Sequence, residues 1–459
     1  MLLGCALLAI SIAGAACTNS GTVTVTLVTA PNSTVLDSVE TLELTLTDPL
    51  TTQTATRTDG SFTIDINIDA AQSDGSLIVL GLDDTNALVA TGASPPFPTD
   101  SITAAIAIYM AAPNSVGASP VALDPACDQL AVAPLTYGVL FAGGRDGSGS
   151  ASDAVALYDA YNHTSSAGVA LPAPSAAMAA GVEGGEYVYF FGGTDSAGSA
   201  TATDWGFDTT VSPNGGFNDF GVQTGYERAG QSLLAMDEDL LVLTGKPAAT
   251  ISSTSGALTP RTDVTSLPAT ALEATGSDDQ AAAIFVDASG VTRYRDAADK
   301  FDTLGSAADA AARDGAALAA LPNGQIGVFC GGTGSGSAAV LAPAGAAIDL
   351  VSEAVTAVPN VPSDGRIAGC AVAATDRFLV IAGGTLGSGG VATTAEIYDA
   401  TTFAPVATAP LVVPRTGATA IALPTGQVLI VGGDDATGAP IATIELFTPA
   451  PDPQYTSGS

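Results

Sequence analysis

The sequence predicts an all-β protein, a small β-sandwich followed by a β-propeller. Three observations carry that expectation. First, residues 363–449 hold the same unit twice without a gap: Arg366 and Arg415, Gly383-Gly384 and Gly432-Gly433, and Glu396 and Glu445 are each 49 apart. Second, each copy reads as an apolar run, a polar turn, a second apolar run ending in Gly-Gly, a loop and a third run; FLVIAGG matches QVLIVGG, and AEIYDA matches IELFTP. Strand-like segments at a period of about 50 residues are a propeller signal. Third, Asp outnumbers Glu 36 to 10, and Thr and Val are frequent. Short carboxylates favour turns and β-branched side chains favour strands. Ala is abundant and prefers helix, but Gly and Pro punctuate the chain too often for long helices.

The repeats have a specific likeness. A strand closing on Gly-Gly, then Tyr398-Asp399, Phe403 and Pro414-Arg415, resembles the kelch pattern, with Phe where kelch repeats usually carry Trp. The resemblance implies a kelch-type propeller with one four-stranded sheet per repeat. Anchored on the double glycine, the units fall at Gly143-Gly144, Gly192-Gly193, Thr244-Gly245, Asp287-Ala288, Gly331-Gly332, Gly383-Gly384 and Gly432-Gly433, in steps of 49, 52, 43, 44, 52 and 49. That makes seven blades over residues 113–452, or six if the fourth unit, which lacks its glycines, is an insertion. An arginine recurs before the first strand at Arg228, Arg313, Arg366 and Arg415. One position repeated in every unit is what packing between units demands, so these arginines are expected to pair with a neighbouring blade or a backbone carbonyl. The last repeat stops after three strands, at Phe447. Residues 117–123 (GASPVAL) resemble the fourth strand at 403–409 (FAPVATA) and are expected to complete the seventh sheet. A ring of sheets needs such closure to avoid a bare edge.

The N-terminus reads as an export signal. Residues 1–16 are almost wholly apolar but too short for a spanning helix. Small residues precede Cys17, and the polar tether Thr18-Asn19-Ser20-Gly21 follows it, which resembles a bacterial lipoprotein signal over residues 1–17. The resemblance implies lipidation of Cys17; the alternative is cleavage after Ala15 and a free product. Residues 18–112 alternate apolar and polar over 22–28, 40–47, 61–68, 77–82 and 102–110, with Asp59-Gly60 and Asp74-Gly75 as hairpin-type turns. An antiparallel sandwich follows. It resembles immunoglobulin-like or transthyretin-like modules and reads as a stalk. Residues 93–99 read as a loop, 112–120 as a linker and 453–459 as a C-terminal tail.

Composition narrows the function. With 12 basic and 46 acidic residues the formal net charge is −34. Nucleic acid and anionic lipid heads both require positive charge, so neither is expected as a partner, and membrane contact is expected only through the anchor. Cys127, Cys330 and Cys370 fit no zinc spacing and read as small buried hydrophobes. The chain has one histidine, His163, expected on an exposed loop. Copper oxidases of the galactose oxidase type, which use a kelch-like propeller, need two histidine ligands, so that site cannot be assembled here. The candidate ligand-binding residues lie in the loops after Gly-Gly: Arg145, Asp146, Asp195, Asp434 and Asp435, with Trp205 in the loop TATDWGFD. Arg145 could fork to a carboxylate. Asp153 and Asp204 add to the acidic loops, which suit a solvated rim; Ca²⁺ is the alternative reading. No other metal, cofactor or catalytic residue is indicated. The expected function is a non-catalytic cell-surface or periplasmic protein that recognises a protein or glycan. The alternatives are a carbohydrate-active enzyme using two carboxylates and a structural envelope component. Nothing in the sequence sets the oligomeric state.

Overall fold

The computed structural model describes residues 22–58, 74–99, 103–236, 239–275, 281–304, 311–333, 340–341 and 344–455. The expected signal, Cys17, Asp59-Gly60 and the expected strand at 61–68 lie outside these. The protein is almost entirely β, with short 3-10 turns such as Asp296–Ala298 and Pro453–Tyr455.

In the N-terminal part, Thr51–Thr56, Thr41–Leu46, Leu77–Leu82 and Leu88–Ala93 form an antiparallel sheet in that order. Its Leu42, Leu44, Leu46 and Val79 pack on Val25, Ile106 and Ile108. Three expectations fail here. Thr22–Val28 pairs with Thr103–Tyr109 in parallel, because the first and last strands of this part run the same way. Asp74–Gly75 is not a hairpin tip but pairs with Phe97–Pro98, inside the expected loop. The expected linker at 112–120 is also largely strand, Ser115–Ala122.

Seven further four-stranded antiparallel sheets follow among the described residues. Their second strands are Gly138–Ala142, Tyr187–Phe191, Leu241–Leu243, Ala281–Asp287, Gln325–Phe329, Phe378–Ala382 and Val428–Val431, and the sheets are numbered 1 to 7 in that order. The unit without glycines is a complete sheet, residues 271–303. Sheet 7 is completed by Ser115–Ala122 pairing with Thr443–Thr448, as the sequence likeness anticipates.

Each sheet shares a core with the next. Leu140 packs with Phe190, Phe191 with Leu243, Val242 with Phe285, Ile284 with Val328, Phe329 with Ile381, and Val380 with Ile430. Leu429 and Leu446 then pack with Val139 and Phe141, so sheet 7 meets sheet 1. This explains why the second strands are continuous apolar runs: all five residues of Phe378–Ala382 are buried, since both faces of the strand meet a neighbouring sheet.

Three of the double glycines stitch successive sheets together. The N–H of Gly144 donates to Ser175 O of sheet 2 at 2.9 Å, that of Gly193 to Arg228 O of sheet 3 at 2.8 Å, and that of Gly384 to Arg415 O of sheet 7 at 2.8 Å. A Cβ on Gly143 would lie 2.2 Å from Ser175 O, and one on Gly383 2.3 Å from Arg415 O. Glycine is required for that approach as well as for its positive φ.

The residue shortly before the first strand of each of several sheets sends its side chain back into its own sheet. Arg366 Nη1 donates to Gly383 O at 2.8 Å, Arg415 Nη1 to Gly432 O at 3.1 Å and Arg313 Nη1 to Cys330 O at 3.4 Å; Arg228 donates to Thr244 O. In sheet 2, Ser175 Oγ reaches Gly192 O instead. The arginines therefore serve backbone carbonyls. In sheet 7, Arg415 also meets Glu445 at 2.5 Å, both 0% exposed, and Glu445 accepts the N–H groups of Val412 and Val413.

Two expectations about single residues are corrected. Cys330 and Cys370 form a disulfide with a Cα–Cα distance of 6.6 Å. Cys330 ends the second strand of sheet 5 and Cys370 precedes the first strand of sheet 6, so the sheet contact brings them together. Cys127 stays free and buried, and burial pushes its thiol up to about 11. His163 is not exposed. It is 2% exposed, its Nδ1 shares a hydrogen bond with Tyr158 OH at 2.7 Å, and its ring lies 5.7 Å from that of Tyr109. It sits where the N-terminal part meets sheet 1, beside the bonds from Ala107 N–H to Tyr161 O and from Tyr161 OH to Pro96 O.

Two predictions follow from these buried groups. Removing one member of a buried ion pair strands its partner, so Arg415→Met is expected to cost about 3–5 kcal/mol in urea unfolding, and the double variant with Glu445→Leu distinctly less. Burial pushes His163 down to about 4, against the opposing pull of Asp159. The folded state thus prefers neutral imidazole. That preference is fully present above about pH 6.5 and is lost as pH falls towards 4. The stability of the wild type relative to His163→Phe is expected to fall as pH drops from about 6.5 towards 4, by up to about 3 kcal/mol.

Candidate functional site

In an antiparallel sheet, the turns joining strands one to two and three to four lie at one end, and the loop joining two to three lies at the other. The N-terminal sheet meets the first kind of turn: Thr91–Ser94 and Ser76 stand across a cleft from Asp376–Phe378 and Pro424–Gln427. The loops after Gly-Gly belong to the opposite end. These are the loops that hold the sequence-selected residues.

Four of the loops share one geometry. Asp146, Asp195, Leu386 and Asp435 each donate their N–H to the carbonyl four residues on, at 3.0 Å, and a glycine one residue earlier takes positive φ (Gly149, Gly198, Gly389, Gly438). The aspartates reinforce the turn. Asp146 Oδ1 accepts from Ser148 N–H and Oγ–H and from Ser150 N–H. Asp195 Oδ1 accepts from Ala197 and Ser199 N–H, and Asp435 Oδ1 from Thr437 and Ala439 N–H. Bonds from Ser148 hold Asp146 below the usual carboxylate range, and bonds from Thr437 do the same for Asp435. These carboxylates are thus structural acceptors with one oxygen turned to their own loop.

Arg145, Thr194, Thr385 and Asp434 precede those turn residues and occupy equivalent places. Arg145 is partly exposed. Its Nη1 donates to Gly149 O at 3.0 Å and its Nη2 to Thr194 Oγ1 at 2.7 Å, tying the loop of sheet 1 to that of sheet 2. Its backbone pairs with Asp128. Asp434 is pushed up by burial and then by the neighbouring Asp128 and Asp435. The structure therefore brings Arg145, Asp434 and the unforeseen Asp128 towards one side of the loop end, while Asp195 stands in the loop of sheet 2. Among the described residues, no three His, Cys, Asp or Glu side chains converge as a metal site would require.

Trp205 does not belong to this group. It lies in the third strand of sheet 2, Thr203–Asp208, is 4% exposed, and packs with Leu157, Val188 and Phe190. Its cross-strand partner is Phe190, just as Glu396 faces Ile381 and Glu445 faces Ile430. Sheet 2 thus has Ser175 and Trp205 where sheet 7 has the Arg415–Glu445 pair. The indole fills the space of an ion pair and has no free face for a sugar.

Among the described residues, concavities also lie elsewhere. A pocket of about 270 Å³ beside sheet 6 contains Glu396 as its one acidic side chain. Glu396 accepts from Ser363 N–H at 2.8 Å and from Tyr398 OH, and Arg366 stands 3.5 Å away. The larger cleft, about 620 Å³, separates the N-terminal sheet from the turns of sheets 5, 6 and 7. Neither was selected from sequence, because both arise where segments distant in the chain meet.

No known family profile matches the chain, and no curated protein does.

Asp204, beside Trp205, is 1% exposed, and burial pushes its carboxyl up to about 7, with Gln223 as its nearest donor at 3.5 Å. A raised acid favours the folded state at low pH, and that contribution is lost as pH rises through about 7. Asp204→Asn is expected to gain about 2 kcal/mol over wild type at pH 8 and nothing at pH 4, read from urea unfolding at both values.

Proposed function

We propose that this chain is an exported binding protein that recognises a protein or glycan with the Gly-Gly loops at one end of a propeller. In this reading the seven sheets over residues 113–452 are the blades of a kelch-type propeller, and residues 18–112 are its stalk. The cyclic order of shared cores and the repeated double glycines support it. The Cys330–Cys370 disulfide suits an oxidising compartment and so supports export, with Cys17 as the proposed lipid anchor to the outer membrane or cell surface.

The observation that carries the binding reading is the division between the two ends. The N-terminal sheet stands against the turn end, which leaves the loop end with Arg145 and the exposed loop tips of sheets 1, 2 and 7 facing outward. Loops held by a rigid scaffold are where recognition residues concentrate. A glycosidase would need two opposed carboxylates, whereas the pocket at Glu396 holds one, already bonded. We therefore favour binding over catalysis.

The test is a glycan array and a panel of purified surface and matrix proteins, probed with the full chain and with Arg145→Ala. Saturable binding weakened about tenfold or more by the substitution, a loss of about 1.4 kcal/mol, is the expected result. Turnover of a glycoside would replace the reading with the enzyme alternative. No binding to any probe would favour a structural envelope role.

A further inference from the structure

We propose that the cleft between the N-terminal sheet and the turns of sheets 5–7 is a second binding site, for a short neutral saccharide. It is separate from the loop end and does not rest on that reading. Its volume, about 620 Å³, falls within the range of roughly 300–1,000 Å³ typical of small-ligand sites, which occur preferentially where two structural units meet.

The chemistry of the walls selects the ligand. One wall carries the hydroxyls of Ser76 and Thr91; the other carries Asp376 and Arg377, with Tyr455 at the edge. Hydroxyls donate and accept, and planar carboxylate and guanidinium groups can each engage two adjacent sugar hydroxyls. Arg377 is pre-oriented: its guanidinium carbon stands 4.9 Å from the centroid of the Phe378 ring, and its Nη1 donates to Ala450 O at 3.1 Å. Among the described residues its guanidinium makes no other hydrogen bond, so most of its five donors are left for a ligand. Tyr455, half-buried, presents an aromatic side chain to sugar C–H groups.

Charge argues for neutrality. Arg377 is the one cation of the lining, set against Asp376 and Asp452, in a chain of net charge −34. An anionic sugar would enter against that field. An extended peptide would need an unpaired strand edge, but the N–H and O of Thr91 on the edge strand of this wall are already bonded to Ala111.

The experiment is titration calorimetry of the full chain with maltotetraose, cellotetraose, xylotetraose and chitotetraose. At least one is expected to bind with one-site stoichiometry. Tyr455→Ala and Asp376→Ala, both surface substitutions checked for unchanged melting temperature, are each expected to weaken it about tenfold. Arg145→Ala is expected to leave it unchanged. The proposal is overturned if none of the four binds at about 10 mM, or if binding is lost in Arg145→Ala and kept in both cleft variants. The last outcome would assign the saccharide to the loop end and leave the proposed function standing.

Discussion

The structure depends on how closely one sheet's Gly-Gly corner approaches the backbone of the next. In sheets 1, 2 and 6 the N–H of the second glycine reaches the carbonyl of the residue that opens the following sheet, and the first glycine lies against the same carbonyl. That residue then turns its side chain onto the corner of its own sheet. The corners at Gly192-Gly193 and Gly383-Gly384 are therefore bonded from both sides. Between the corners, continuous apolar runs such as Val428–Val431 are buried along their whole length.

The same corner can be built from different parts. Sheet 7 uses a buried arginine and glutamate, and sheet 2 uses a serine and a tryptophan at the matching positions. A buried ion pair and well-packed apolar bulk can contribute similarly once desolvation is included. Sheet 5 keeps the arginine but has alanines in the third strand, and it gains a covalent link to sheet 6. The sheets are alike in backbone and unlike in the side chains that hold them, which is why the repeats diverge so far in sequence.

Much of this was legible in the chain itself. The 49-residue offset located the sheets, and the likeness of residues 117–123 to a fourth strand located the strand that completes sheet 7. Features made by contact between distant segments were not legible. Cys330 and Cys370 looked inert because nothing local says that two successive sheets meet there. His163 looked exposed because its Asn- and Ser-flanked segment is polar, yet Tyr109 of the N-terminal part packs beside it. Trp205 looked like loop because Thr and Asp surround it, while its strand is specified by Phe190 across the ladder. The candidate loop residues were found, but their aspartates act first as turn acceptors, a role that the spacing Asp-x-x-Gly could have suggested. Strands rich in Thr or Ala, such as Thr51–Thr56 and Leu88–Ala93, lacked the apolar alternation that marks a strand.

Sheet 7 draws its outer strand from near residue 115 and its other three from beyond residue 418. The join is clasped further where Ala450 N–H reaches the side chain of Asn114, 336 residues earlier. A ribosome must therefore deliver almost the whole polypeptide before the first of these strands can find its partner. The bond between the two distant stretches is therefore the latch that assembly can close only late.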